Sequence, residues 1–199
     1  MSPESIADFV AIAALILAYL AGSVSAAIIV CRVMGLPDPR TDGSRNPGTT
    51  NVLRLGGKKA AILTLLGDML KGVLPVLAAS YYGLDVMLVS AVGFAAFMGH
   101  LYPIFFRFEG GKGVATALGV LLALSPIIGG TVIALWITAF ALTRYSSLGA
   151  IVGFIAAPIL TQFLLPEAML GVVGMSLLLL ARHKTNMKAL IEGTERRFK

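Results

Sequence analysis

The sequence predicts an all-α polytopic membrane protein of about seven transmembrane helices, N-terminus outside and C-terminus cytoplasmic. Three observations carry that expectation. Hydrophobic residues make up 57% of the chain and its mean hydropathy is +0.89. Charged residues make up only 13%, against about 25% in soluble domains. The basic residues fall into a few groups separated by long apolar runs, as in multi-pass membrane proteins. At 199 residues the chain reads as one integral membrane domain, 1–199.

The N-terminal stretch MSPESIADFV has no basic residue ahead of its apolar run, so it reads as a retained first helix rather than a cleaved signal. That helix is expected over 6–31. The only cysteine, Cys31, excludes an intrachain disulfide and is read as a packing residue. Further helices are expected over 60–81 and 86–106. Run 114–143 breaks at Ser125-Pro126, because proline lacks the N–H donor and clashes with the preceding turn. It therefore divides into 114–124 and 127–143, and the first piece spans only about 17 Å, short of the ~30 Å hydrocarbon core. Whether 114–143 crosses once or twice is left open. Helices over 148–164 and 167–182 complete the set.

Charge orients these helices. Arg32, Arg40, Arg45, Arg54, Lys58 and Lys59 surround one loop, Arg107 and Lys112 a second, Arg144 marks a third, and the tail 182–199 is basic. The opposite helix ends carry only acids: Glu4 and Asp8, Asp85, and Glu167. Short loops rich in Lys and Arg stay in the cytoplasm, so all four basic segments belong on that face.

These segments are DGSRNPGTTNVLRLGGKK (42–59), FEGGKGVAT (108–116), RYSSLG (144–149) and RHKTNMKALIEGTERRFK (182–199). Each sets glycines, hydroxyls or amides beside a basic side chain. Glycine lets backbone N–H groups approach an oxyanion, while lysine supplies a point charge and arginine a planar fork. Their convergence points to phosphate binding at the membrane surface. Anionic lipid headgroups would explain isolated cations such as Arg40, Lys58 and Lys59. They would not explain the glycines, Asn46, Asn51, or the paired Thr49 and Thr50.

GGKGVAT is not a Walker loop, since Phe106 stands where that motif needs its first glycine and Gly113 where it needs Ser or Thr. In the tail, His183 and Asn186 lie three apart and share a face if that segment is helical. His100 is read as a core residue. Asp68 and Lys71 lie three apart inside the apolar LTLLGDMLKGVLP, where ionisable groups are costly and pair. They read either as an intrahelical pair or as a pair that also orients the neighbouring loop. The scattered acids define no metal site, no cofactor is expected, and nothing points to nucleic acid.

GSRNPGTTN, GGKGVAT and RHKTNMKALIEGTE together resemble the three ordered motifs of the bacterial acyl-phosphate:glycerol-3-phosphate acyltransferases. GSVSAAIIV, LPDPRTDGS, GDMLKG and GHLYPIFF extend the resemblance over nearly the whole chain. It implies a seven-helix enzyme of the bacterial inner membrane, with its active site facing the cytoplasm. The implied reaction moves a fatty acyl group from acyl phosphate to the 1-hydroxyl of sn-glycerol 3-phosphate. The products are lysophosphatidic acid and phosphate, and the step starts phospholipid synthesis. Contact with the enzyme that makes acyl phosphate is left open.

Two phosphates need two cradles. On this reading Ser44, Asn46, Gly48, Thr50 and Asn51, with Gly110, Gly111 and Gly113, hold acyl phosphate. Arg54, Lys112, Ser147, His183 and Asn186 hold glycerol 3-phosphate, and Lys112 lies where it can steady charge on the carbonyl oxygen. The donor's own phosphate is favoured as proton acceptor, with His183 second. The His-then-Asp motif of the acyl-CoA-dependent enzymes is absent: Phe105 and Lys188 stand where it needs Asp after His100 and His183. Two positions depart from the family's G-S-G-N-P-G-A-T-N. Arg45 replaces a glycine, at a cost of about 1 kcal/mol or more if φ is positive there, and Thr49 replaces alanine. The rival reading is a transporter or binding protein for a phosphorylated anion. Such a protein would set its site near the midplane between repeated halves, and neither feature is seen. A noncatalytic scaffold would not need three motif loops.

Overall fold

The computed structural model describes residues 2–198, apart from the side chains of Pro3 and Glu4. The described residues form nine α-helices and no strand: α1 Pro3–Gly22, α2 Ala26–Val33, α3 Thr49–Tyr81, α4 Val86–Leu101, α5 Val114–Leu124, α6 Pro126–Thr143, α7 Ser146–Leu164, α8 Met169–Arg182 and α9 Lys184–Ile191. Local chemistry sets several starts. Ser2 accepts from the Ser5 N–H (3.2 Å) and Asp85 from the Leu88 N–H (2.8 Å), each satisfying a helix-end donor. Ser125 caps α6 with Pro126 at its first position, where the missing N–H costs nothing.

Among the described residues, five helical stretches are long and apolar enough to cross a membrane: Ser5–Val33, Thr49–Tyr81, Val86–Phe106, Pro126–Thr143 and Ser146–Leu164. The other two expected crossings correspond to α5 and α8, whose 11 and 14 residues reach only about 17 and 21 Å. Outward-facing Phe9, Leu17, Ile62, Leu66, Leu74, Ile159 and Leu177 are exposed, an apolar girdle that suits lipid and not water. Inside, α3 packs on α5, α1 on α4 and α6 on α7, around Phe97, Leu101, Leu121, Phe154 and Met175.

Two boundaries differ from expectation. The first crossing is broken at residues 23–25, between α1 and α2. In hydrocarbon, backbone groups freed by a break must find partners within the protein. Ser23 Oγ donates to the Tyr19 carbonyl (2.8 Å), Ser25 caps α2, and Lys71 Nζ donates to the Val24 carbonyl (2.8 Å). The second difference is α3, which begins at Thr49 and not near residue 60. Its first turns belong to the motif segment and are set off by a kink at Gly57, whose φ of 73° glycine adopts without strain. Thr50, Asn51 and Arg54 therefore sit on a helical turn where a loop was expected.

Lys71 also pairs with Asp68 across one turn of α3 (2.9 Å), with side-chain exposures of only 7% and 1%. Asp68 Oδ1 in turn lies 3.6 Å from His100 Nδ1 on α4. His100 Nδ1 is 3.1 Å from Thr116 Oγ1 on α5, and its carbonyl accepts the Gly111 N–H (3.3 Å). One buried polar chain thus runs from the break in the first helix to the glycine-rich second motif.

Candidate active site

The first motif folds around Asn51. Its Oδ1 accepts the Ser44 N–H (2.9 Å), and its Nδ2 donates to the carbonyls of Pro39 (3.0 Å) and Asp42 (3.0 Å). With 1% exposure and every polar atom engaged, Asn51 staples the loop rather than facing a ligand. Ser44 is exposed, while Asn46 and Gly48 are half-buried, and among the described residues no side-chain hydrogen bond joins Ser44 or Asn46 to the other segments. Thr50 Oγ1 lies 3.2 Å from Ser146 Oγ, which ties the motif to the start of α7. Arg45 has φ 54°, the left-handed region that its glycine counterpart in the family pattern favours.

The second motif is clamped from both sides. Arg182, at the end of α8, donates to the carbonyls of Gly110 (3.0 Å) and Gly111 (3.1 Å). A side chain at Gly111 would meet the His100 ring and sit 2.9 Å from the Pro47 carbonyl, so only glycine lets the two motif loops close on each other. Gly113 has φ 84° and opens α5, directing Lys112 the other way, toward the tail.

Lys112, Asn186, Glu195 and Ser147 form a continuous chain. Lys112 Nζ donates to Asn186 Oδ1, Asn186 Nδ2 donates to Glu195 Oε1 (2.7 Å), and Ser147 Oγ donates to the same oxygen (2.6 Å). Arg54 reaches the neighbouring Arg196 carbonyl (3.4 Å) and lies 4.9 Å over the Phe198 ring. Phe198 meets Phe140 edge-on, Phe140 stacks on Trp136, and the Phe198 N–H binds the Arg144 carbonyl (3.0 Å). The tail beyond α9 is thereby strapped across the mouth of the site.

Two groups here are shifted. Burial lowers the Lys112 ammonium below its ordinary pKa, with Arg182 and Arg54 adding to the effect and Glu195 opposing it. Burial also depresses His183 to about 4, with the Lys112 charge contributing. His183 is 3% exposed, and its Nδ1 sits 2.8 Å from the Leu179 carbonyl. A carbonyl only accepts, so Nδ1 carries the proton and Nε2 is the accepting nitrogen of a neutral ring.

Arg54, Lys112, Ser147, His183 and Asn186, drawn from four separated segments, therefore share one neighbourhood. Asp68 and Lys71 stand behind it, linked through His100. Sequence reasoning passed over Glu195 and the clamping role of Arg182, although both lie inside or beside the quoted third motif. Among the described residues no group of three or more His, Cys, Asp or Glu is placed to hold a metal ion.

A helical membrane protein with cations, amides and hydroxyls gathered at one end of its bundle is built to handle a phosphorylated substrate at the lipid–water boundary. The comparisons make that class specific: the chain belongs to the glycerol-3-phosphate acyltransferase family, whose model matches residues 12–193. The glycerol-3-phosphate acyltransferase of Methylobacillus flagellatus is 56% identical over 185 residues, covering 92% of this chain and 94% of the relative. That of Methylococcus capsulatus is 56% identical, covering 90% and 92%. The crystal structure of PlsY (YgiH), an integral membrane glycerol 3-phosphate acyltransferase, superposes in its glycerol 3-phosphate form with a TM-score of 0.90 at 38% identity, covering 95% of this chain and 96% of PlsY. Its lysophosphatidic acid form gives 0.88 at 37% identity, covering 95% of each.

Proposed function

We propose that this protein transfers a fatty acyl group from acyl phosphate to the 1-hydroxyl of sn-glycerol 3-phosphate, at the cytoplasmic face of the bacterial inner membrane. The observation that carries the reading is the meeting of Arg54, Lys112, Ser147, His183 and Asn186 around the Glu195 carboxylate. The Arg54 and Lys112 cations, with the Asn186 amide and the Ser147 hydroxyl, make a polar cradle that offers a phosphate ester charge and hydrogen-bond donors, and the Glu195 carboxylate orients the amide and the hydroxyl. Relatives named for glycerol-3-phosphate acyl transfer, and PlsY forms holding glycerol 3-phosphate and lysophosphatidic acid, support the acceptor and product.

The acceptor hydroxyl oxygen attacks the acyl carbonyl carbon, the bond from that carbon to the phosphate oxygen breaks, and inorganic phosphate leaves. The departing phosphate takes the hydroxyl proton. Lys112 steadies negative charge during the transfer, since a preorganised cation in a water-poor site acts where charge develops. Ser44, Asn46, Gly48, Thr50 and the second-motif glycines receive the donor phosphate, with Asn51 holding their loop in shape. The N-terminus is outside, the C-terminus is cytoplasmic, and α5 and α8 complete seven crossings.

The deciding assay supplies purified protein with acyl phosphate and labelled glycerol 3-phosphate, without CoA or carrier protein. Labelled lysophosphatidic acid is expected; its absence, with transfer from acyl-CoA instead, would overturn the donor assignment.

A further inference from the structure

A recess of about 870 Å³ opens beside the motif loops and shares no residue with the cradle around Glu195. Its wall includes Arg32, Arg45, Arg107, Arg182, Phe105 and Phe108. The two sites meet at the second motif: Gly110 lines the recess, and Lys112, two positions on, serves the cradle. Buried Pro47 also lines the recess and sets its carbonyl against Gly111.

The charges of this recess are unevenly spent. Arg40 is held by Asp38 (2.7 Å) and Glu109 (3.3 Å), and Arg182 by the Gly110 and Gly111 carbonyls. Among the described residues, Arg32, Arg45 and Arg107 have no carboxylate within ion-pair distance. Guanidinium groups gathered on one concavity raise the local anion concentration. Three wall residues also sit in the left-handed region: Arg45 (φ 54°), Arg107 (φ 56°) and Phe108 (φ 61°). Strain of this kind clusters where geometry serves a ligand. Beside the guanidiniums, Phe105 and Phe108 are 58% and 56% exposed, an apolar lip at the end of the α4 crossing. Forks for phosphate next to an aromatic lip match one ligand shape, a phosphate head on a single acyl chain.

We propose that this arginine-lined recess is an outer binding site for a phosphate carried on a single acyl chain, with Arg45 and Arg107 as its principal contacts, where the acyl-phosphate donor docks before its phosphate passes to the first- and second-motif loops. The proposal rests on the donor assignment above for the identity of the ligand. The shared chemistry has a second source, the lysophosphatidic acid product, and the experiment separates the two.

Arg45→Gly, Arg45→Lys and Arg107→Gln are prepared beside the unaltered protein in zwitterionic nanodiscs. Arg45→Gly removes the charge while relieving the positive φ, so a lost fold does not cloud the result. The first readout is thermal stabilisation by a long-chain alkyl phosphonate, which cannot be transferred. The second is KM for acyl phosphate and for glycerol 3-phosphate, with product inhibition by lysophosphatidic acid.

Arg45→Gly and Arg107→Gln are each expected to raise the half-saturating phosphonate concentration and the donor KM about tenfold, equivalent to about 1.4 kcal/mol, and to leave the glycerol 3-phosphate KM unchanged. Arg45→Lys should recover part of the loss. Weakened product inhibition with an unchanged donor KM would keep the site and assign it to the product. Phosphonate binding that ignores both arginines, or equal shifts in the KM of both substrates, overturns the site. If the unaltered protein makes no product yet binds phosphonate through Arg45, the donor assignment fails and the site stands.

Discussion

At Lys112 burial and charge pull against each other: desolvation lowers its pKa, Glu195 raises it, and the side chain is fastened to Asn186. A cation so placed is worth more in the transition state than in the ground state, where its charge is already balanced. Lys112→Met should therefore lower kcat by about 100-fold, the lower end for losing one preorganised oxyanion donor. Steady-state kinetics check this, and a raised glycerol 3-phosphate KM with unchanged kcat would make Lys112 a binding residue only. His183 carries a different signature. Its folded pKa of about 4 lies below the ordinary 6.5, so the unfolded chain takes up the proton first as pH falls. The stability is complete above about 6.5, erodes between there and about 4, and amounts to roughly 3 kcal/mol. Thermal melts across that range should show this acid sensitivity in the unaltered protein and less of it in His183→Gln. Single residues were legible where a pattern flagged them. Arg45 stands in a glycine position and does adopt a positive φ. Asn51 is by residue type a phosphate ligand, yet its bonds close on Ser44, Pro39 and Asp42, because their directions depend on a loop path that residue types do not encode.

Helix boundaries were legible where chemistry forces them. The Ser125-Pro126 break and the start of α4 after Asp85 both fall where sequence places them. The break at residues 23–25 was hidden, since GSVSAAIIV holds no proline and the stretch Ser5–Val33 is apolar enough on average to read as one span despite Ser23 and Ser25. What permits it lies on another helix: Lys71 caps the Val24 carbonyl while neutralising Asp68. Lys71→Met should thus remove two partners at once, leaving a buried carboxylate unpaired and a carbonyl unsatisfied. Breaking a buried pair from one side costs about 3–5 kcal/mol. A large drop in thermal midpoint in detergent is expected. The double variant Asp68→Asn, Lys71→Met should recover much of it, since no lone charge remains. Equal losses in both would show that the Val24 cap, and not the ion pair, carries the stability. Because Asp68 also lies near His100 and so behind Gly111, the single variant should lose activity beyond its loss of folded protein.

Across the whole molecule, the gathering of the basic segments expected from charge placement is realised as a set of cross-links between distant segments: Thr50 with Ser146, Lys112 with Asn186, Arg182 with the second motif, and Ser147 with Glu195. Charge and motif order sufficed to bring these segments to one end. They could not show how the last residues close the site, because Glu195 reaches Ser147 across 48 positions and through a turn that no periodicity announces. The tail is bound by Glu195 to Ser147 and Asn186, by Phe198 to Phe140 and Arg54, and by the Phe198 N–H to Arg144. None of these contacts lies in the buried core, which is built mainly by α1 and α3 to α8. Ending the chain after Ile191 should therefore leave a folded bundle with a thermal midpoint near the original. The cradle would lose the acceptor that orients Ser147 and Asn186, along with the aromatic support of Arg54. Hydrogen bonds to a charged partner contribute about 1.5–3 kcal/mol each, so kcat/KM for glycerol 3-phosphate should fall by at least tenfold. Glu195→Gln in the full chain isolates the charge from the strap. If the truncated protein loses activity and Glu195→Gln keeps it, the tail acts by covering the site; if both lose it alike, the carboxylate itself orients the acceptor's binding groups.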